Sequence, residues 1–220
     1  MSSGITKNPS APQVKPEIIA ALRNIAVSLL SDNLHRNRGS IELTPYHIPA
    51  PLAGTAVTVR TRGGDNLAVL RAYDYCRPGD VMVIDAEGDL RNAVFGGIMS
   101  FAAHSMGLAG MIVDGAIRDI DEIGARTFPV YARGVSHRGP FKDGPGEINV
   151  PITVGGMVVC PGDIVVGDRD GLCAFSPDIA TAVIEKALAQ HAKEEATMQA
   201  IRDGRWDRSF VDALEARCMN

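Results

Sequence analysis

Three short apolar runs, spread over residues 81–132 with helical stretches between them, constrain the fold of this chain more than any other feature. Val81-Met82-Val83-Ile84 and Met111-Ile112-Val113 are short and carry β-branched residues, which marks buried strands. A third strand is expected over residues 129–132. Between the first two, Ile98, Met99, Ala102 and Met106 fall on one face of a helix ending near Gly107, and a shorter helix is expected around residues 121–126. The order β-α-β-α-β argues for parallel pairing with right-handed crossovers, because strands running the same way need a long connection to return. The fold class is therefore α/β.

That order also fixes where chemistry can sit. Gly96-Gly97 stand at the start of the helix, whose first N–H groups have no partner inside it. Two glycines let a ligand approach the backbone, so this end suits a carboxylate or a phosphate. Arg118-Asp119 follow the next strand on a loop. In open α/β sheets ligands gather at the carboxyl ends of strands, which aims these side chains at the same crevice as the amides. Arg grips a carboxylate with two parallel donors where Lys is only a point charge. Asp119 offers a hard oxygen ligand for Mg²⁺, an ion that keeps most of its waters and needs one or two protein carboxylates. The pair also suits a structural role, with Asp119 capping the short helix that follows.

Around this unit, residues 1–16 are rich in Ser, Pro and Lys and read as a mobile or loosely docked arm. Residues 17–34 show the apolar spacing of one amphipathic helix, residues 54–61 alternate as a strand, and residues 67–75 form a helix with Asp65 or Asn66 as its cap. Pro78-Gly79-Asp80 and Pro161-Gly162-Asp163 each read as a turn feeding a buried strand. Residues 135–148 form a polar loop, strands at 151–159, 163–166 and 172–175 supply antiparallel structure, and a long helix starts at Ser176-Pro177 and reaches about residue 202. The tail, residues 205–220, keeps Trp206, Phe210, Val211 and Leu214, and is expected to dock on the domain or on a neighbouring subunit.

At 220 residues and 45% apolar composition the chain suits one domain with a full core. A formal charge of −4 with scattered basic residues argues against nucleic acid as a partner. No apolar run reaches the length of a membrane-spanning helix and the N-terminus lacks a signal-peptide core, which points to the cytosol and away from membranes. The four cysteines then read as reduced thiols. The five histidines show no zinc spacing, and a P-loop, a dinucleotide-binding glycine motif and a serine nucleophile elbow are all missing. Lys7, Lys15, Lys142, Lys186 and Lys193 lie in the arm, the polar loop or an exposed-looking helix, so a Schiff-base aldolase is disfavoured and any carbonyl chemistry should draw on a metal.

The segment GGIMSFAAHSMGLAGMIVDGAIRDIDEI, preceded by PGDVMVIDAEGD and followed by GEINVPITVGGMVVCPGDIVVGDRDG, resembles the RraA-like family over about residues 17–204. That family includes metal-dependent 4-hydroxy-4-methyl-2-oxoglutarate aldolases, oxaloacetate decarboxylases and the bacterial regulator of ribonuclease E activity. The resemblance implies a swivelling β/β/α domain and a homotrimeric ring, sometimes paired into a hexamer, with sites between subunits. It implies that Gly96, Gly97, Ile98 and Met99 hold a pyruvyl carboxylate through their backbone, that Arg118 contacts substrate, and that Asp119 ligates Mg²⁺ or Mn²⁺. Glu194 matches a glutamate that enters the neighbouring subunit's site. Where this chain has Gly97, aldolase members commonly carry Asp or Glu, an acid that takes part in water and proton handling. The implied activity is a class II lyase cleaving a short 2-oxo acid through pyruvate enolate, by retro-aldol cleavage or oxaloacetate decarboxylation. The alternative is a non-catalytic ring that binds a protein such as a ribonuclease. A sugar-acid or aromatic-pathway aldolase is a third possibility.

Overall fold

The computed structural model describes residues 4–36 and 39–218, and its centre is a mixed sheet of ten strands. The chain begins with β1 (Ile5–Lys7), followed by α1 (Pro16–Leu22) and α2 (Val27–Asp32). The spacing over residues 17–34 predicts one helix, and the structure divides it. Val27 N–H donates to Asp168 Oδ2 at 2.9 Å, so the second piece is capped by a side chain 141 positions later, while Leu22, Ile25, Leu29 and Leu30 from both pieces share one apolar cluster. The hydrophobic repeat is continuous even though the helix is not.

Next come β2 (Thr44–Pro45), the long β3 (Leu52–Thr61), α3 (Leu67–Ala72) with a tighter turn over Tyr73–Tyr75, and β4 (Asp80–Asp85). β5 (Ala93–Phe95), unexpected from sequence, leads into α4 (Gly97–Ser105), then β6 (Gly110–Ile117), α5 (Ile120–Gly124) and β7 (Val130–Val135). The remainder is β8 (Gly146–Ile148), β9 (Ile152–Val154), β10 (Met157–Val159), β11 (Ile164–Gly167), β12 (Leu172–Phe175), α6 (Ala180–Arg202) and α7 (Ser209–Cys218). Residues 151–159 predict one strand; they form the β9–β10 hairpin instead, because Gly155 and Gly156 take φ of 53° and 79°, the left-handed pair that a two-residue turn needs.

β3, β4, β6 and β7 are neighbours in that order and all parallel, as the alternation of strands and helices predicts. On its other edge β3 is shared, pairing antiparallel with β11 at its start and with β8 at its end. The strand pleat sorts the core. Met82, Ile84, Met111, Val113, Val130 and Ala132 face α3, α4 and α5, whereas Val81, Val83, Ile112 and Tyr131 face the β9–β10 hairpin. Ile164, Val166, Cys173 and Phe175 pack against α1, α2 and α6. Strands buried on both faces explain why the runs are continuously apolar, and the layering of hairpin, sheet and helices is the β/β/α arrangement that the resemblance implies.

The two Pro-Gly-Asp turns are one solution used twice. Asp80 Oδ2 accepts Arg77 N–H and Asp163 Oδ2 accepts Cys160 N–H, both at 2.8 Å, and Gly79 and Gly162 both sit at φ 87°. The N-terminal arm lies along the sheet from Gly4 onward: β1 pairs parallel with β8, and Gln13 Nε2 donates to Asp80 Oδ1 at 2.9 Å. Its first three residues are outside the described ones, as are the last two of the tail. Trp206, Phe210 and Leu214 of that tail are about half exposed in the single chain. No helix among the described residues is long and apolar enough to cross a membrane.

Candidate active site

The site is built where β5 and β6 end. β5 pairs with the last residues of β6, Phe95 opposite Ile117, so the chain leaves both strands side by side, at Gly96 on one and Arg118 on the other. Arg118 N–H donates to Phe95 C=O at 3.0 Å and locks the two exits together. Gly96 caps α4 in an extended conformation, and a Cβ there would lie 2.7 Å from Asp119 Oδ2 and 3.0 Å from Arg118 Cγ. Only glycine allows this approach.

Asp119 occupies the left-handed region, φ 60° and ψ 40°, a strained conformation for a residue with a side chain. Its Oδ2 accepts Gly97 N–H at 2.9 Å and lies 3.6 Å from Arg118 Nε. Sequence alone leaves all the first amides of α4 open; the structure ties Gly97 to Asp119 and leaves Ile98 N–H and Met99 N–H without an acceptor among the described residues. Met99 C=O accepts the Tyr73 hydroxyl at 2.7 Å, and burial pushes that phenol above its ordinary range, so it stays a donor and steadies the start of the helix.

These groups open onto a cavity of about 230 Å³ lined by Phe95, Gly96, Ile98, Met99, Arg118 and Asp119, together with Asn66 and Lys142. Sequence places Lys142 in a polar loop and gives it no role. Its position is set from a distance: the buried Asp65 Oδ2 accepts the N–H groups of Asp143 and Gly144 at 2.7 and 3.0 Å, while Asn66 N–H donates to Phe141 C=O at 3.0 Å. No local pattern announces a contact across so many residues. Asp65 also accepts Leu67 N–H at 2.9 Å, so of the two caps that sequence offers for α3 it is the one used.

Glu194 lies on the exposed far half of α6, where Gln190 donates to its Oε1 at 2.9 Å, and it does not line the cavity of its own chain. The apolar stripe of α4 is also turned from its expected direction. Gly97, Ser100 and Ala103 are buried, whereas Ile98 is 85% and Phe101 59% exposed, so the large side chains beside the cavity face outward.

Asp119 fits a divalent cation. Its Oδ1 makes no hydrogen bond with the described residues, its side chain is 42% exposed, and a carboxylate is the hard ligand that Mg²⁺ or Mn²⁺ prefers. Among the described residues no three His, Cys, Asp or Glu side chains gather to cage an ion, so one held here would keep most of its waters.

A profile of the RraA-like family, described as Aldolase/RraA, matches residues 27–173, which include the cavity residues and exclude Glu194. A protein of Halalkalibacterium halodurans with the provisional name 4-hydroxy-4-methyl-2-oxoglutarate aldolase is 40% identical over 195 residues, 87% of this chain and 91% of its own. Among solved structures, a Pseudomonas syringae pv. tomato protein of unassigned function superposes with a TM-score of 0.80 at 25% identity, over 90% of this chain and 93% of its own. The RNA-processing inhibitor RraA of Thermus thermophilus gives a TM-score of 0.63 at 31% identity, over 69% of this chain and 92% of its own. From the matched profile, the relative and the shared fold together, the chain belongs to the RraA-like family.

Proposed function

We propose that this chain is a lyase that cleaves a short 2-oxo acid through pyruvate enolate, either from a 4-hydroxy-2-oxo acid by retro-aldol cleavage or from oxaloacetate by decarboxylation. The observation that carries the reading is the convergence of Arg118, Asp119 and the unpaired amides of Ile98 and Met99 on one small cavity. The name of the Halalkalibacterium halodurans relative points the same way.

Asp119 would hold Mg²⁺ or Mn²⁺ through Oδ1, and that ion supplies a Lewis acid for negative charge developing on the 2-oxo oxygen. Arg118 grips the carboxylate next to the oxo group, with Ile98 N–H and Met99 N–H as further donors. Lys142 gives the same cavity a second cation, which suits a substrate with two carboxylates. Because Gly97 N–H already binds Asp119, the aspartate is held in place before anything enters. Glu194 would reach the site of a neighbouring subunit in a trimeric or hexameric ring, and the outward Ile98 and Phe101 give such a ring an apolar contact next to each cavity.

The test is pyruvate release from oxaloacetate and a panel of 4-hydroxy-2-oxo acids, with and without Mg²⁺. Asp119→Ala and chelation should each abolish release, and Arg118→Lys should lower kcat/KM by roughly 10²-fold. Release that survives both the alanine substitution and chelation removes the mechanism. The second reading, a ring that binds a ribonuclease, draws on the absence of a carboxyl side chain at Gly97 and on the likeness to the Thermus inhibitor. A partner retained on immobilised protein regardless of Mg²⁺, with no release from any 2-oxo acid, would favour it.

A further inference from the structure

The arm that precedes Val14 is fastened mainly by hydrogen bonds. No residue from Gly4 to Gln13 is buried; Val14 is the first that is, and its N–H donates to Thr55 Oγ1 at 3.0 Å. Upstream of that fixed point the arm makes two ties, one behind each wall of the cavity. In the first, β1 runs parallel to β8, with Ile5 opposite Gly146 and Lys7 opposite Ile148. Asn8 completes it: its N–H and its Nδ2 both donate to Ile148 C=O, at 3.2 and 3.1 Å, and its own C=O accepts Asn149 Nδ2 at 3.1 Å. β8 begins just after Gly144, whose N–H is held by Asp65, and the segment leading to Gly144 carries Pro140 and Lys142, which both line the cavity. In the second tie, Ser10 Oγ donates to Tyr75 C=O at 2.9 Å. The same tight turn supplies the Tyr73 hydroxyl that holds Met99 C=O at the start of α4.

We propose that residues 5–13 form a detachable strap, which while docked holds the 140–144 wall of the cavity against the start of α4, and when released lets that wall, with Lys142, move away. This goes beyond the lyase reading and holds whatever the cavity binds. β8 has only three residues, and its other edge meets only the end of β3, so without β1 it becomes a short edge strand with one partner. A parallel ladder is slightly less stable per residue than an antiparallel one, and solvent-exposed hydrogen bonds with few apolar contacts open far more readily than a packed core. The strap is therefore the part of the sheet most easily lifted. Val14, buried against residues of α1, α2 and α6, keeps the lifted arm tethered, so it can dock again.

The experiment is amide hydrogen exchange on the full chain, on a chain that begins at Ser10, and on Asn8→Ala. Loss of residues 1–9 should speed exchange by roughly 10²-fold at Asp143, at Gly144 and in β8, and leave β4, β6 and β7 unchanged. Asn8→Ala removes one hydrogen bond and leaves the arm in place, so it should speed exchange about fivefold at the same amides. A synthetic peptide of residues 1–13, added in excess to the shortened chain, should restore protection by adding the missing strand to the free edge of β8, and the same peptide with Asn8→Ala should do so less well. Pyruvate release from oxaloacetate with Mg²⁺ is followed in parallel: shortening should lower kcat/KM by roughly 10-fold, and the peptide should recover it. Protection that survives Asn8→Ala overturns the strap, and so does a loss that spreads equally to β4 and β6; that variant decides the matter even where the shortened chain fails to fold. Lost protection with an unmoved kcat/KM overturns the tie to the cavity. The expected exchange pattern in a protein that releases no pyruvate supports the strap and counts against the lyase reading alone.

Discussion

Gly96 shows how much of a site one missing side chain can hold together. Its sequence context suggests a glycine that lets ligand approach the backbone, but the structure gives it a second task, since it is the segment bearing Arg118 and Asp119 that comes close. Gly96→Ala should therefore push that pair outward. We expect a fall in kcat/KM of roughly 10²-fold with a loss of about 1–3 kcal/mol in stability, read from kinetics and urea unfolding side by side. Arg118 and Asp119 could be found in the sequence because they follow a strand whose end must face the crevice. Lys142 could not, because it is brought in by the geometry of a loop whose own residues carry no chemical motif. The cysteines are unpaired, as the sequence implies. Burial raises the Cys76 thiol to about 12 and the Cys173 thiol to about 11, so neither offers much thiolate at neutral pH.

Among the elements, the two Pro-Gly-Asp turns are the clearest case of local sequence dictating local structure, and they are not equally important. Asp80 is fully buried and accepts from Arg77 N–H, Arg77 Nε and Gln13 Nε2, so it fastens the N-terminal segment as well as its own turn. Asp163 is only partly buried. Asp80→Ala should cost about 1–3 kcal/mol through the donors left unpaired, and more than Asp163→Ala, measured by denaturant midpoints at a common slope. The parallel strands were legible because burial on both faces leaves an unbroken apolar run. Helix ends were less so: the break between α1 and α2 depends on Asp168, and a hydrophobic repeat carries no record of a cap from so far along the chain. The direction of α4 was lost for a related reason. An apolar stripe says that something must cover it, not that the cover belongs to the same chain.

At the scale of the whole molecule, Arg60, Asp85, Asp114 and Arg133 form a row across β3, β4, β6 and β7. Burial, with the Asp114 charge adding to it, lifts the Asp85 carboxyl above its ordinary 3.8. The native state then binds this proton more tightly than the unfolded state, so the contribution of Asp85 is fully present below 3.8 and is lost as pH rises through the raised value. Asp85→Asn should accordingly raise Tm at pH 7, with the gain shrinking toward zero as the pH is lowered below 3.8, in unfolding curves taken across that range. Contacts between copies would leave no trace in one chain beyond apolar surface that it does not cover itself. One consequence follows from α6, which buries only Ala180, Val183 and Ala187 and carries Glu194 well beyond them. If that glutamate serves an adjacent copy, two silent chains should complement each other: one cut after residue 189 still offers Asp119, and a full-length Asp119→Ala chain still lends Glu194. Unfolded and reassembled together, they should recover part of the turnover that neither shows alone, as mixed alleles of a shared gene would.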